Sequence, residues 1–322
     1  MSKMSNGLKW LGAALGILAL LGSAAGHAED KVLRIGYQKY GTLVLLKGRG
    51  DLEKRLAPQG VSVKWSEFPG GPQLLEALNV GAIDFGVTGE APPVFAQAAG
   101  ADLVYIANQP PAPLAEAIVV PKNSTIRSVA DLKGKRVALN KGSNVHYLLV
   151  KALQSAGVSY NDIQVVFLPP ADARAAFSKG AVDAWAIWDP FLASAETTLG
   201  ARVLVTGKGL VSNHQFFLAS RSYAKAQPAV VAAIIEELHA VDRWGQANAA
   251  EVARLLAPLI GVDGPTAELA AGRFAFGATA ITPAVAGEQQ KIADVFADLR
   301  LIPKPIRISD ALLPGVDALA KR

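Results

Sequence analysis

Residues 68–85, FPGGPQLLEALNVGAIDF, and residues 168–185, LPPADARAAFSKGAVDAW, follow one plan. Each opens on an apolar residue and a proline, passes through a helical pattern, and ends on Gly-Ala-aliphatic-Asp before an apolar run. The run is Gly81-Ala82-Ile83-Asp84-Phe85 in the first and Gly180-Ala181-Val182-Asp183-Ala184-Trp185 in the second. In both, the glycine stands where a helix stops, the position at which a residue without Cβ readily turns left-handed, and a strand follows. The leading strands match as well, Arg34-Ile35-Gly36-Tyr37-Gln38-Lys39 beside Arg136-Val137-Ala138-Leu139-Asn140-Lys141. The repetition predicts two similar α/β lobes.

Working outward, β-branched runs alternate with helical patterns through most of the first 220 residues: Val32–Tyr37 then Leu43–Leu56, Val61–Phe68 then Gln73–Val80, Ile83–Thr88 then Pro93–Ala98, and Leu103–Ala107. Such alternation argues for parallel sheets joined by crossover helices. Proline-rich Gln109-Pro110-Pro111-Ala112-Pro113 and the strand Ala117–Val120 mark the crossing out of the first lobe, and Gln215–Ser220 returns to it. Two crossings make a hinge. The remainder, from Pro228, has a helical pattern broken at Pro258, Gly261 to Pro265 and Pro283, with a last helix over Ala286–Leu299, and is expected to cap the first lobe. The predicted division is residues 1–28 as an export signal, 29–117 with 217–322 as lobe 1, and 118–216 as lobe 2.

The export signal rests on three features: Lys3 and Lys9, the apolar run Leu11–Gly22, and the small-residue end Ser23-Ala24-Ala25-Gly26-His27-Ala28, with cleavage expected after Ala28. The run is shorter than the roughly 20 apolar residues that span a bilayer. The 322 residues carry 32 basic and 27 acidic side chains, a net +5, of which two lysines belong to the signal. The remaining +3 is interspersed, as in Lys47-Gly48-Arg49-Gly50-Asp51-Leu52-Glu53-Lys54-Arg55, which reads as a solvated helix face and not as a track for nucleic acid. The sequence has no cysteine, which excludes a disulfide scaffold, a thiolate metal site, a thiol nucleophile and a lipobox anchor.

In open parallel sheets, ligands gather beyond the carboxyl ends of strands, where helix N-termini offer free amides. The loops at these places are residues 38–42, 69–72 and 88–93 in the first lobe, and 140–146, 169–172 and 188–190 in the second. Thr42, Thr88, Ser143, Asn144, Asp172 and Asp189 stand at expected N-cap positions, so each is a candidate cap, and Thr88 and Ser143, beside glycines, are candidates for both capping and ligand contact. An anion held here needs donors more than countercharge, because the helix dipoles already favour it. That suits a sulfonate, with Gln38, Thr42, Ser143 and Asn144 as suppliers and Tyr40 in the same loop. Of the two tryptophans three residues apart around a strand end, Trp188 is expected in the cleft and Trp185 in the core. His146 and His214 could reach the cleft, whereas His239 reads as structural. No HxH, HExxH, nucleophile elbow or phosphate-loop motif occurs, so no metal, cofactor or catalytic centre is expected.

Several stretches resemble the aliphatic sulfonate-binding proteins of ABC importers: residues 34–39, 67–81, 87–102, 170–177 and Val182-Asp183-Ala184-Trp185-Ala186-Ile187-Trp188-Asp189-Pro190. The resemblance runs through nearly the whole chain after the signal. It implies a type II periplasmic binding fold that closes on an alkanesulfonate and delivers it to an inner-membrane permease, acting as a monomer without enzymatic activity. Family-like contacts map onto Gln38, Thr88-Gly89, Ser143-Asn144, His146 and Trp188-Asp189, with His214 in a variable stretch. Taurine, nitrate or another small anion is the alternative ligand on this fold. The pyrimidine synthases of thiamine biosynthesis, which share the fold, rely on a cysteine-rich motif that this sequence lacks.

Overall fold

The computed structural model describes residues 31–313, so the expected signal segment lies outside the described residues. Strands Lys31–Tyr37 (β1), Val61–Glu67 (β2), Phe85–Gly89 (β3), Leu103–Asn108 (β4) and Gln215–Ser220 (β10) form one five-stranded sheet in the order β2-β1-β3-β10-β4. Strands Glu116–Val120 (β5), Arg136–Leu139 (β6), Gln164–Phe167 (β7), Ala184–Trp188 (β8) and Arg202–Thr206 (β9) form the other, in the order β7-β6-β8-β5-β9. The two orders superimpose position for position. In each the first three strands run parallel, and the fourth, supplied by a crossing from the other lobe, runs antiparallel to both neighbours. The sheets begin their exchanged strands at Glu116 and Gln215, two residues before the boundaries expected at 118 and 217. The crossings bond to each other: the amides of Gln109, Ala112 and Gly207 donate to the carbonyls of Gln215, Ser212 and Pro113 at 2.8–3.0 Å.

The repeated Gly-Ala-aliphatic-Asp motif has one job in both lobes. Arg34 at the centre of β1 donates from its backbone N and its Nε to Asp84 Oδ2 at 2.9 Å, from Nη2 to Oδ1 at 2.6 Å, and from Nη1 to the Gly81 carbonyl at 2.5 Å. Arg136 at the start of β6 repeats this with Asp183 at 2.8, 3.3 and 3.2 Å and with the Gly180 carbonyl at 3.3 Å. The aspartate thus clamps the return from each helix to the N-terminal part of the sheet, leaving the opposite ends free for ligand.

Helices Gly41–Arg49 (α1) and Asp51–Leu56 (α2) replace the single helix expected over Leu43–Leu56, because Gly50 between them takes φ +66°. Gly71–Asn79 (α3) and Ala91–Ala98 (α4) complete the crossovers of lobe one, and Asn144–Ser155 (α5), Pro170–Ser178 (α6) and Phe191–Leu199 (α7) those of lobe two. The C-terminal part holds Arg221–Ala226 (α8), Pro228–Ala247 (α9), Ala249–Ile260 (α10), Gly264–Ala271 (α11) and Pro283–Asp298 (α12). Ile234, Ile235 and Leu238 of α9 and Leu256 of α10 share a fully buried cluster with Leu43 and Leu46 of α1, and their burial drives the docking onto lobe one. The C-terminal part, expected to cap lobe one, also reaches lobe two, where α11 packs on α7. Thr266 and Thr197 share a hydroxyl hydrogen bond of 2.8 Å, and Arg273 reaches Glu196 at 2.7 Å. The C-terminal segment therefore straps one side of the seam between lobes.

Candidate functional site

The lobes face each other with the carboxyl ends of their parallel strands. Two adjoining chambers lie on the seam. The inner one is a narrow space of about 10 Å³ walled by Gln38 and Tyr40 after β1, Val87 and Gly89 of β3, Asn144 opening α5, Trp188 ending β8, and Asn213 and Gln215 of the return crossing. The outer one, about 550 Å³, is bounded by Phe68 and Pro69 of lobe one, Pro169, Pro170 and Phe191 of lobe two, and Ile260 and Val262 of the strap. Gln38 and Trp188 line both, so the two chambers adjoin at these side chains.

No side chain that is charged at neutral pH lines the inner chamber. Three helices start around it: α1 after Tyr40, α4 after Gly89 and Glu90, and α5 at Ser143 and Asn144, and none of their N-cap side chains bonds the first-turn amides. Those amides and their dipoles supply the positive potential there. The lobes meet closely at this point. A Cβ on Gly89 would stand 2.7 Å from Asn144 Oδ1, and one on Gly70 2.5 Å from Asn140 Nδ2, across the seam in both cases. Gln73 and Asn140 also exchange amide hydrogen bonds of 3.4–3.5 Å across it.

Behind the chamber lie two buried carboxyl groups. Glu116 of β5 accepts from Asn144 Nδ2, and Glu90 accepts the His214 amide at 3.0 Å; each keeps one oxygen without a partner. Burial pushes Glu90 up to about 7. Burial, and then the neighbouring Glu90, drives Glu116 well above the usual carboxyl range, which favours its neutral acid form. Burial likewise pushes Asp189 up to about 7, outweighing the Arg273 guanidinium 3.3 Å away.

Periodicity explains where each candidate residue stands. Gln38, Tyr40, Gly89, Asn144 and Trp188 wall the inner chamber. Thr88, between Val87 and Gly89 on a strand, points the other way, with its Cβ 3.0 Å from where Gly71 would carry one. His214 alternates with Asn213 and Gln215 in the same manner. It turns from the chamber to the hinge, where Nδ1 meets the Gln109 carbonyl at 2.7 Å and Nε2 faces Glu288 at 3.4 Å. Asp189 follows Trp188 and is fully buried, accepting the Ala193 amide at 2.9 Å. His146 lies two helical positions past Asn144, about 200° around α5. Its ring is buried among Phe95, Phe167 and Phe296. Its Nδ1 accepts from the Gly142 amide at 3.3 Å, which leaves the proton on Nε2 for Tyr160 Oη at 2.7 Å, and burial lowers its pKa to about 4. The Thr42 hydroxyl accepts from Gln109 Nε2 at 3.0 Å, and that of Ser143 donates to the Asn140 carbonyl at 2.7 Å. Thr42, Thr88, Ser143, His146, Asp189 and His214 thus support the walls without lining them.

Of the expected N-caps, Ser143 holds that position, whereas Thr42 and Asp172 lie inside their helices, Asn144 opens α5, and Thr88 belongs to β3. Trp185 is 1% exposed and packs on Phe177, as expected of a core residue. His239 bonds the Ala278 carbonyl at 2.8 Å from α9. Asn213 and Gln215 escaped sequence reasoning, although an asparagine before a strand at a chain crossing suits the φ of +53° found at Asn213. Among the described residues no group of three or more His, Cys, Asp or Glu side chains is placed to hold a metal ion.

Two sheets that exchange their fourth strands across a double-crossing hinge define a two-lobe binding protein of the type II periplasmic class. The alkanesulfonate-binding protein SsuA from Xanthomonas axonopodis pv. citri, bound to MOPS, has this architecture at a TM-score of 0.84 and 43% identity, over 89% of this chain and 99% of that one. The periplasmic aliphatic sulphonate binding protein SsuA from Escherichia coli matches at a TM-score of 0.79 and 45% identity, over 88% of this chain and 92% of that one. In sequence, the aliphatic sulfonates-binding protein of Escherichia coli (strain K12) is 46% identical over 290 residues, 89% of this chain and 90% of its own. The model of the family described as NMT1/THI5 like matches residues 56–240. The chain belongs to that family and, within it, to the aliphatic sulfonate-binding proteins. The desulfurization enzyme DSZB shares the fold alone, at 15% identity and a TM-score of 0.65.

Proposed function

We propose that this protein is the periplasmic substrate-binding component of an ABC importer, which closes its two lobes on an aliphatic sulfonate and presents it to an inner-membrane permease. The observation that carries this reading is the pairing of an uncharged inner chamber at three helix N-termini with a roomy outer chamber that offers apolar surface from Phe68, Pro170, Trp188, Phe191 and Val262 among its polar and charged side chains. A sulfonate is a monoanion at every biological pH and needs only donors, which amides and Gln38 supply; the outer chamber takes its organic tail. Nitrate has no tail, so the outer volume favours an organosulfonate over it. The near relatives carry aliphatic sulfonate binding in their names, and the expected signal ending at Ala28 is consistent with export. The absence of cysteine separates the chain from thiol-dependent chemistry on this fold.

Closure follows from differential contact: Gln38, Tyr40 and Gly89 come from one lobe and Asn144 and Trp188 from the other, so a ligand touching both stabilises the closed form. Titration calorimetry with short and long alkanesulfonates, taurine, nitrate and sulfate tests the proposal. Alkanesulfonates are expected to bind and sulfate and nitrate not to; binding of nitrate or sulfate ahead of every sulfonate refutes it.

A further inference from the structure

Among the described residues, Arg174 is the cation of the outer chamber that no acid neutralises. It lines the chamber from α6, donates from Nη2 to Thr198 Oγ1 at 2.8 Å, and buries its Nε without a partner. Among the described residues no carboxylate lies within ion-pair distance of it. The other charged groups facing this chamber are already committed. Lys39 stands 3.5 Å from Glu67, and the Asp263 carboxylate accepts the Thr266 amide at the start of α11. A guanidinium carries five donors in a fixed fork, and a buried donor left unfilled is costly. Thr198 occupies one of them and Nε is enclosed by the protein, so Nη1 and the remaining Nη2 hydrogen are the sites the fork offers to whatever enters between Phe191, Pro170 and the strap.

We infer that Arg174 is a specificity-determining residue for the ligand's far end, and that the protein favours sulfonates whose tail ends in a carboxylate or a comparable acceptor over those ending in a methyl group. The inference rests on the proposed sulfonate-binding function and adds the tail chemistry. The sulfonate head sits against the helix N-termini of the inner chamber, the chain of carbons passes Gln38 and Trp188, and the tail acceptor meets the Arg174 fork. A carboxylate there gains charge-assisted hydrogen bonds whose planar fork geometry an ammonium cannot match.

The test is calorimetry of the intact protein with two matched series of two to six carbons, ω-carboxy alkanesulfonates and methyl-terminated alkanesulfonates. At the length that bridges the two chambers, the carboxylate series is expected to bind at least tenfold tighter than its methyl counterpart. Arg174→Met should collapse that ratio toward one, and Arg174→Lys, which keeps the charge and loses the fork, should leave an intermediate ratio; thermal melting checks that both variants are folded. The inference is overturned if no length shows a carboxylate advantage, if the advantage survives Arg174→Met, or if both series weaken equally in that variant, which would place Arg174 on the sulfonate head. Stronger binding of ω-amino sulfonates, drawn by Glu67 or Asp263, overturns it as well. Absence of binding by either series to the wild-type protein refutes the underlying sulfonate reading instead, so the two failures are distinguishable.

Discussion

Asp84 and Asp183 hold the same place in the two lobes, each ending a Gly-Ala-aliphatic-Asp tetrapeptide and bonded to the arginine of its own leading strand, yet their surroundings differ. The Asp84 side chain is 7% exposed and that of Asp183 32%. In lobe one, β10 runs on into α8, which sets Tyr223 beside the Arg34–Asp84 pair. In lobe two, β5 continues into a loop and a short helical turn over Val129–Leu132. One local device, encoded twice, therefore contributes differently according to what the exchanged strand brings with it.

The sharpest way to break this comparison is to remove each carboxylate in turn. Asp84→Ala removes a nearly buried carboxylate that accepts three hydrogen bonds from Arg34 and should cost about 3 kcal/mol in urea unfolding, against about 1 kcal/mol for the more hydrated Asp183→Ala. Equal losses would show that the exchanged strand does not matter.

A second contrast pairs Glu90 of lobe one with Glu116 of lobe two behind the chamber. The native state keeps the Glu90 proton up to about 7, whereas the unfolded chain releases it near 4.5. Its stabilising contribution is therefore complete below that lower value and is lost as the pH rises through about 7. Glu90→Gln should flatten the stability profile across this window, a change of order 2–3 kcal/mol in the wild-type-minus-variant difference measured by urea unfolding from pH 4.5 to 8. An unchanged slope would mean that the proton resides elsewhere in the pair.

Smaller effects test the seam itself. Gly89→Ala puts a methyl group where Asn144 of the opposite lobe stands, so closure should weaken and sulfonate affinity should fall about tenfold, roughly 1.4 kcal/mol by calorimetry, with stability little changed. Small-angle scattering should show less ligand-induced compaction in this variant than in the wild type. Smallest of all is the expected change in affinity for His146→Phe, which should be under twofold, because the ring faces Tyr160 and Phe296 and not the chamber. A large loss there would return His146 to the wall.

The paired lobes, the hinge at the proline-rich crossing and the core role of Trp185 were legible because helix stops, strand periods and repeats are local properties of sequence. Local reasoning also found the loops that meet at the seam, since chain ends of parallel strands carry them in any such sheet. Choosing residues within a loop was harder. Hydroxyls and histidines attract attention chemically, but Thr88 and His214 are turned away by the two-residue period of the backbone they sit on, and His146 by the turn of its helix. Asn213 and Gln215 entered on that same period.

By itself, then, the amino-acid sequence determined two α/β lobes, their duplication and the position of the hinge, because apolar periodicity, glycine stops and β-branched runs act over a few residues. Only the tertiary structure decided the rest: that the C-terminal segment straps both lobes through Thr266 and Arg273, that Glu90 and Glu116 are buried behind an uncharged chamber, and that Arg174 faces the outer chamber without an acid partner among the described residues. Those facts depend on which surfaces meet when segments distant in the sequence pack together, and burial, which sets their electrostatics, exists only after that packing.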